Sequence, residues 1–316
     1  MTEDQMPVAA PIPTDAGFHR PVLLKAVVDA ARGARRAVDG TLGDGGHAEA
    51  LRESGIELLA VDRDPEAVRI ARARLGDGGI RYLHAAFSSG EALAEISDFE
   101  PDFILLDLGV SSRQLDEESR GFTFRPGAPL DMRMGAEGPT AADLLNTVPK
   151  DTLRAWLADW ADERRAHRLA GEIVRRRENA AFATSDDLVN AIRAVLGSRS
   201  GPEDFARIFQ AMRIAVNQEL EGLAEALPAL RGALVPGGGL GIISYHSGED
   251  RLVKHAFHEW SRACICAPEQ PVCTCRGRPL GVAAPRSGVV PDPLEIADNP
   301  RARSARLRIF RTANDA

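Results

Sequence analysis

Four glycines within seven residues, Gly40-Thr41-Leu42-Gly43-Asp44-Gly45-Gly46, constrain this 316-residue chain more than any other stretch. They follow a short apolar run ending at Asp39 and precede a segment of helical composition, His47 to Ser54, that stops at Gly55. Without Cβ atoms the backbone turns sharply and comes close to a ligand. A helix starting behind such a loop offers free N–H groups and the positive end of its dipole. The pattern predicts a nucleotide or nucleoside site, although a glycine-rich turn alone has the same composition.

Two further segments support the ligand reading. Glu57 to Val61 is an apolar run ending in Asp62, close to the distance past the glycines where such folds place an acid on ribose hydroxyls. A carboxylate suits that task because it accepts two hydrogen bonds from a vicinal diol. Phe103-Ile104-Leu105-Leu106-Asp107-Leu108-Gly109 reads as a buried parallel strand with Asp107 at its carboxyl edge. Asp39, Asp62 and Asp107 are thus expected as three strand ends in register.

Taken in order, Val22 to Ala31 is predicted as an amphipathic helix with Pro21 in its first turn, and Arg35 to Asp39 as the first strand. Asp64 caps a helix running to Leu75, with Gly76 as its stop. Ile80 to His84 is the third strand, with Phe87 beyond it, where an aromatic packs on a purine ring or joins the core. A helix from Gly90 to Ile96 leads to the strand ending at Asp107. The repeated strand–loop–helix rhythm predicts a parallel, doubly wound α/β sheet. After Asp107 a loop-rich stretch gives way to helical periodicity from Thr140 to about Val235. Lys150 to Asn179 reads as one helical stretch, and Phe205 to Leu227 as one long helix. Strand five is Leu240 to Ser244, Glu249 to Trp260 is helical, and Ser304 to Phe310 alternates as a strand near the sheet edge would.

The length allows about two domains. Pro- and Ala-rich residues 1–17 are expected to be disordered. No apolar run is long enough for a membrane span and no signal peptide is apparent, so a cytoplasmic location is expected. A net charge of -7 argues against a surface coated for nonspecific nucleic-acid binding. It leaves room for local basic clusters: Arg164, Arg165, His167 and Arg168; Arg175 to Arg177; and Arg301, Arg303, Arg306, Arg308 and Arg311. All four cysteines lie in Cys264-x-Cys266 and Cys273-x-Cys275. Four thiolates close a tetrahedral zinc site, but the spacing is tighter than the usual C-x2-C, leaving a reduced-thiol loop as the alternative.

The glycine loop does not keep the G-x-G-x-x-G spacing of a dinucleotide pyrophosphate clamp. An S-adenosylmethionine site needs the same glycine approach and ribose acid without that clamp, which favours a methyl donor over a dinucleotide. Several blocks in the chain resemble the MraW/RsmH family. They are Phe18-His19-Arg20-Pro21-Val22-Leu23-Leu24, Asp39 to His47, Ala60 to Pro65, Asp107 to Ser112, Arg120 to Arg125 with Leu130 to Met134, Phe209 to Arg213, Ser244 to Arg251 and Asn299 to Ser304. They run in family order from about residue 18 to 311.

The resemblance implies a class I S-adenosylmethionine-dependent methyltransferase: a Rossmann-like doubly wound sheet formed by residues 18–112 and 217–316, with an all-helical domain, 113–216, inserted. It implies transfer of a methyl group to the 4-amino group of a cytidine in the decoding region of 16S rRNA in the 30S ribosomal subunit. It leaves homodimerisation open. It assigns the donor site to Gly45, Gly46, His47, Asp62, Phe87, Asp107 and Gln114, with Asp107 catalytic. Arg120, Arg125, Asp131, Arg133, His246 and Arg251 are the candidates for holding the flipped base and its phosphates. Departures from the family pattern are Arg113 after the paired serines, Gly248 in the Ser-Tyr-His-Ser block, and acidic Gly201 to Arg207 in place of a basic segment.

Overall fold

The computed structural model describes residues 21–314 except 268 and 271. The N-terminal tail and Phe18, His19 and Arg20 lie outside the described residues. The first half alternates as the sequence predicts: α1 (Leu24–Ala30), β1 (Arg36–Asp39), α2 (Gly46–Glu53), β2 (Glu57–Asp62), α3 (Pro65–Leu75), β3 (Ile80–His84), α4 (Gly90–Phe99) and β4 (Phe103–Asp107). Local chemistry sets these boundaries. Asp64 accepts the Glu66 N–H at 3.0 Å, Pro65 fills the first helical position and Gly76, at φ +71°, ends α3.

A short helix, α5 (Ser112–Asp116), follows β4. The insertion comprises α6 (Ala141–Thr147), α7 (Lys150–Asp159), α8 (Ala166–Arg177), α9 (Ser185–Leu196) and α10 (Pro202–Asn217); α11 (Glu219–Ala233) then leads back to β5 (Gly239–Ser244). The remainder is α12 (Ser247–Trp260), β6 (Gly281–Ala283), α13 (Pro293–Asp298) and β7 (Arg306–Thr312). The strands form one sheet in the order β3-β2-β1-β4-β5-β7-β6. β1 to β5 pair in parallel, and β7 runs antiparallel to both β5 and β6. The chain winds outward from β1 to β3 and returns to β4 on the other side of β1, so the carboxyl ends of β1 and β4 flank the topological switch point.

Side chains between Phe122 and Val216 pack into a core of their own, centred on Leu145, Leu153, Leu169, Ile173, Leu188, Ile192, Ile208 and Met212. The two faces of the sheet carry separate cores, one around Leu51, Leu58, Leu105 and Leu307, the other around Ile96, Ile104, Leu106, Leu227 and Phe257. Among the described residues no helix is long and apolar enough to cross a membrane.

Several expectations need correction. Pro21 is not in the first turn of α1, because Leu23 in the left-handed region (φ 54°) starts the helix at Leu24. The stretch from Lys150 to Asn179 divides into α7 and α8, with Asp162 at φ 49° between them. The long helix through Phe205 to Leu227 is likewise two, α10 and α11, broken by Gln218 at φ 50°. The second break preserves the apolar spacing and so escapes a periodicity test. The three acidic strand ends are staggered rather than level. Asp39 pairs with Ala60 and with Leu105, so Asp62 and Asp107 each stand two residues further along the strands. The C-terminal strand is interior, and the three-residue β6 forms the edge beyond it.

Candidate active site

At the carboxyl end of the sheet lies a cleft of about 470 Å³, walled by the glycine loop, the ends of β2 and β4, the segment after β5, and the α10–α11 break. Gly40, Gly43, Gly46, His47, Asp62, Phe87, Asp107 and Gln114 all line it. Gly43, at φ +51°, donates its N–H to Asp62 Oδ2 at 2.7 Å, while Asp62 Oδ1 accepts the Asp64 N–H at 2.8 Å. Asp62 is thereby fixed by one backbone donor on each oxygen, with acceptor capacity left over on both. Gly45 does not line the cleft. A Cβ there would meet Leu75 Cδ1 at 2.9 Å and Ala71 Cβ at 3.3 Å, so this glycine lets the loop pack on α3. Gly46 is needed for close approach to Pro21, whose Cγ would lie 2.4 Å from an added Cβ.

Asp107 sits at the centre. Its backbone N–H donates to Thr41 Oγ1 at 2.6 Å, and its Oδ1 accepts the Tyr245 hydroxyl proton at 2.8 Å. His47 Nδ1 lies 3.6 Å from Oδ2. The opposite ring nitrogen, Nε2, is 2.9 Å from the Val22 carbonyl, which only accepts, so Nε2 carries the proton. Burial holds the His47 pKa below its ordinary value, leaving Nδ1 as a lone pair facing Asp107. Burial also pushes Asp107 up to about 7, against the Tyr245 hydrogen bond that lowers it. Asp39 and Asp62 are raised to about 6, again chiefly by burial. Asp39 leaves Oδ2 without a hydrogen-bond partner. Two lining acids raised by desolvation, Asp62 and Asp107, with buried Asp39 electrostatically coupled to them, favour a cationic ligand and disfavour a pyrophosphate.

Gln114 is buried and committed: its Oε1 accepts the Ser111 N–H at 3.0 Å and its Nε2 donates to Asp64 Oδ2 at 3.0 Å. Arg120 binds that same oxygen at 3.0 Å and the carbonyls of Arg133 and Met134. The six expected base- and phosphate-holding residues do not converge on the cleft wall. Arg125 pairs with Glu118 at 2.7 Å, and Arg133 grips Asp131 through two bonds of 2.8 Å. His246 caps α12, accepting the Gly248 N–H at 3.2 Å, and Arg251 is exposed on that helix.

Other residues line the cleft instead. Arg213 and Glu219 form a two-bond ion pair at 2.8 Å. Asn217, buried at the end of α10, donates to the Met132 and Arg213 carbonyls and accepts the Met134 N–H. Glu249 Oε2 takes the Tyr245 N–H at 2.8 Å and so seats the tyrosine. Tyr245 was within sequence reach, as a hydroxyl in the block after β5. Arg213 was too, closing the Phe209 to Arg213 block, whereas Asn217 and Glu219 were not, because they flank the break at Gln218, which no sequence pattern marks.

A doubly wound sheet with a glycine loop and an acid-lined cleft at its switch point defines an enzyme of the nucleoside-cofactor class. Within that class the chain belongs to the MraW methylase family, whose sequence model it matches over residues 16–313. It is 56% identical over 310 residues to the ribosomal RNA small subunit methyltransferase H of Gemmatimonas aurantiaca, covering 96% of this chain and 98% of that protein. It is 44% identical over 303 residues to the protein of the same name from Heliobacterium modesticaldum, covering 92% and 97%. To that of Rubrobacter xylanophilus it is 43% identical over 313 residues, covering 95% and 98%.

Proposed function

We propose that the cleft binds S-adenosylmethionine and that the protein transfers its methyl group to the 4-amino group of a cytidine in the decoding region of 16S rRNA, acting in the cytoplasm on the small ribosomal subunit. The carrying observation is the acid floor itself: Asp62 and Asp107, raised by burial, line a glycine-lined cavity with buried Asp39 electrostatically coupled to both, and call for a cationic ligand such as a sulfonium. Asp62 and the Gly43 turn hold the ribose end, Phe87 supplies a face for the adenine, and Asp107 stands at the reacting end. Residues 113–216 are read as the substrate-recognising domain, with the α10–α11 break carrying Arg213, Asn217 and Glu219 to the cleft.

The reaction is an in-line displacement. The amine nitrogen attacks the methyl carbon, the C–S bond breaks with its electron pair going to sulfur, and the amine then sheds one proton. Because the sulfonium is already activated, most of the rate gain comes from alignment, on the order of 7 kcal/mol or more. The cytosine amine is a weak nucleophile because its lone pair is delocalised into the ring. Asp107 Oδ2, opposite the oxygen held by Tyr245, accepts an amine N–H, localises that lone pair and receives the departing proton.

The deciding assay supplies labelled methyl donor and small subunits from a strain lacking the protein, followed by nucleoside analysis. Label in N4-methylcytidine supports the reading; label in another nucleoside, or none, overturns it. Asp107→Ala is expected to abolish turnover, and near-normal activity in that variant would remove Asp107 from the chemistry. Because RNA contacts release counterions, affinity should fall steeply with salt.

A further inference from the structure

The four cysteines take no part in the cleft. They lie in the connection between α12 and β6, and their sulfurs converge. Cys264 and Cys273 are 3.7 Å apart, Cys266 and Cys273 3.9 Å, Cys273 and Cys275 3.5 Å, and Cys264 and Cys275 3.8 Å. All four ligand atoms fall within 4.8 Å of one another. A tetrahedron of sulfurs about 2.3 Å from a central zinc has edges of about 3.8 Å. The separations therefore match a tetrathiolate cage and exceed a covalent S–S bond of about 2.05 Å.

The tight C-x-C spacing is accommodated because residues i and i+2 of an extended chain project to the same side. Each half thus offers two thiols on one face, and the turn between the halves brings the faces together. Main-chain support is present as well: the Ile265 N–H donates to Cys275 Sγ at 3.4 Å, of the kind that stabilises a ligating thiolate. A second, independent observation is what the segment lacks. Among its described residues none between Ser261 and Leu280 is buried, and Ile265 and Val272 are 41% and 69% exposed. A long connection without a core of its own needs another staple. Its base is already tied, by Arg276 to the Glu259 and Arg262 carbonyls and by the Leu280 N–H to the Trp260 carbonyl, whereas its tip carries the four sulfurs and, among the described residues, only local hydrogen bonds such as Gln270 Nε2 to Thr274 Oγ1 at 2.7 Å.

We propose that Cys264, Cys266, Cys273 and Cys275 bind one zinc-class divalent ion as a closed, structural S4 site that fixes the α12–β6 connection. Four soft thiolates select zinc over hard cations such as magnesium or calcium, and binding expels the thiol protons. With every position filled by protein, the site has no open coordination for substrate.

The test uses the full chain, purified without a metal-affinity tag or chelator from zinc-supplemented cells and kept reduced. Elemental analysis is expected to find about one zinc per chain, released on titration with an organomercurial. Cobalt(II) exchanged into the site should give the absorption bands of tetrahedral thiolate coordination. Cys273→Ser, and separately Cys266→Ser, should lose the metal and expose the loop to proteolysis. Retained S-adenosylmethionine binding would show that each variant remains folded. Chains that carry no zinc and give no tetrahedral cobalt spectrum overturn the proposal. So does stoichiometric iron in place of zinc, or a mass showing two disulfides in the reduced preparation.

Discussion

Replacing Tyr245 with phenylalanine removes one atom at the reacting end and leaves the ring in place. The hydroxyl donates to Asp107 Oδ1 at 2.8 Å, and the tyrosine's own pKa is raised well above its ordinary value, chiefly by burial, so it remains a donor throughout the neutral range. A hydrogen bond to a charged group contributes about 1.5–3 kcal/mol, and one pKa unit corresponds to about 1.4 kcal/mol. Losing it should therefore raise Asp107 from about 7 to roughly 8–9. Asp107 acts as an acceptor and needs its carboxylate form, so wild-type kcat should climb with pH through about 7. In the variant that limb moves upward. Turnover at pH 7 should drop roughly 5- to 50-fold, then approach the wild-type value near pH 9. Single-turnover methyl transfer to small subunits across this range reads the shift. A uniform loss at every pH, with the midpoint unmoved, would refute the idea that Tyr245 acts by holding Asp107 ionised.

Asp62→Asn leaves one of the two backbone donors, Gly43 or Asp64, facing an amide NH2, at a cost of about 1–3 kcal/mol. Donor affinity by calorimetry should weaken by roughly 10- to 100-fold, and an unchanged value would exclude Asp62 from ordering the glycine loop. Asp39, Asp62 and Asp107 have folded pKa values of about 6, 6 and 7 against an ordinary 3.8, so the ligand-free fold keeps protons that the unfolded chain releases. That stabilisation is fully present below the unfolded value and is lost as pH rises through 6 to 7. A cationic donor supplies the missing counter-charge, so its effect on the thermal midpoint should be larger near pH 8 than near pH 5.5, and the reverse order would contradict the acid-floor argument. Asn217→Ala orphans the Met132 carbonyl and the Met134 N–H, and should cost about 2–3 kcal/mol in denaturant unfolding. A change under about 0.5 kcal/mol would mean water replaces the amide freely.

The sequence alone determined the elements whose causes are local. Glycine spacing, a capping Asp64, Gly76 as a stop and four short apolar runs suffice to place α2, α3 and the first four strands, because caps, turns and alternation act within a few residues. Of the proposed donor-side residues, Gly46, His47, Asp62 and Asp107 were legible for the same reason, since each stands at the end of a strand or the start of a helix, and Phe87 as the aromatic just past the third strand; Gln114 followed only from the family resemblance. What the cleft's far wall contains was decided only in three dimensions. A single residue in the left-handed region, Gln218, divides what reads as one helix and swings Asn217 and Glu219 toward the sheet. Tyr245 meets Asp107 across 138 positions of sequence, and the arginines that look available for phosphate are held by Asp64, Asp131 and Glu118. Pairing between segments far apart in the chain follows from how the sheet and the insertion pack, and such contacts leave no periodic trace in the sequence.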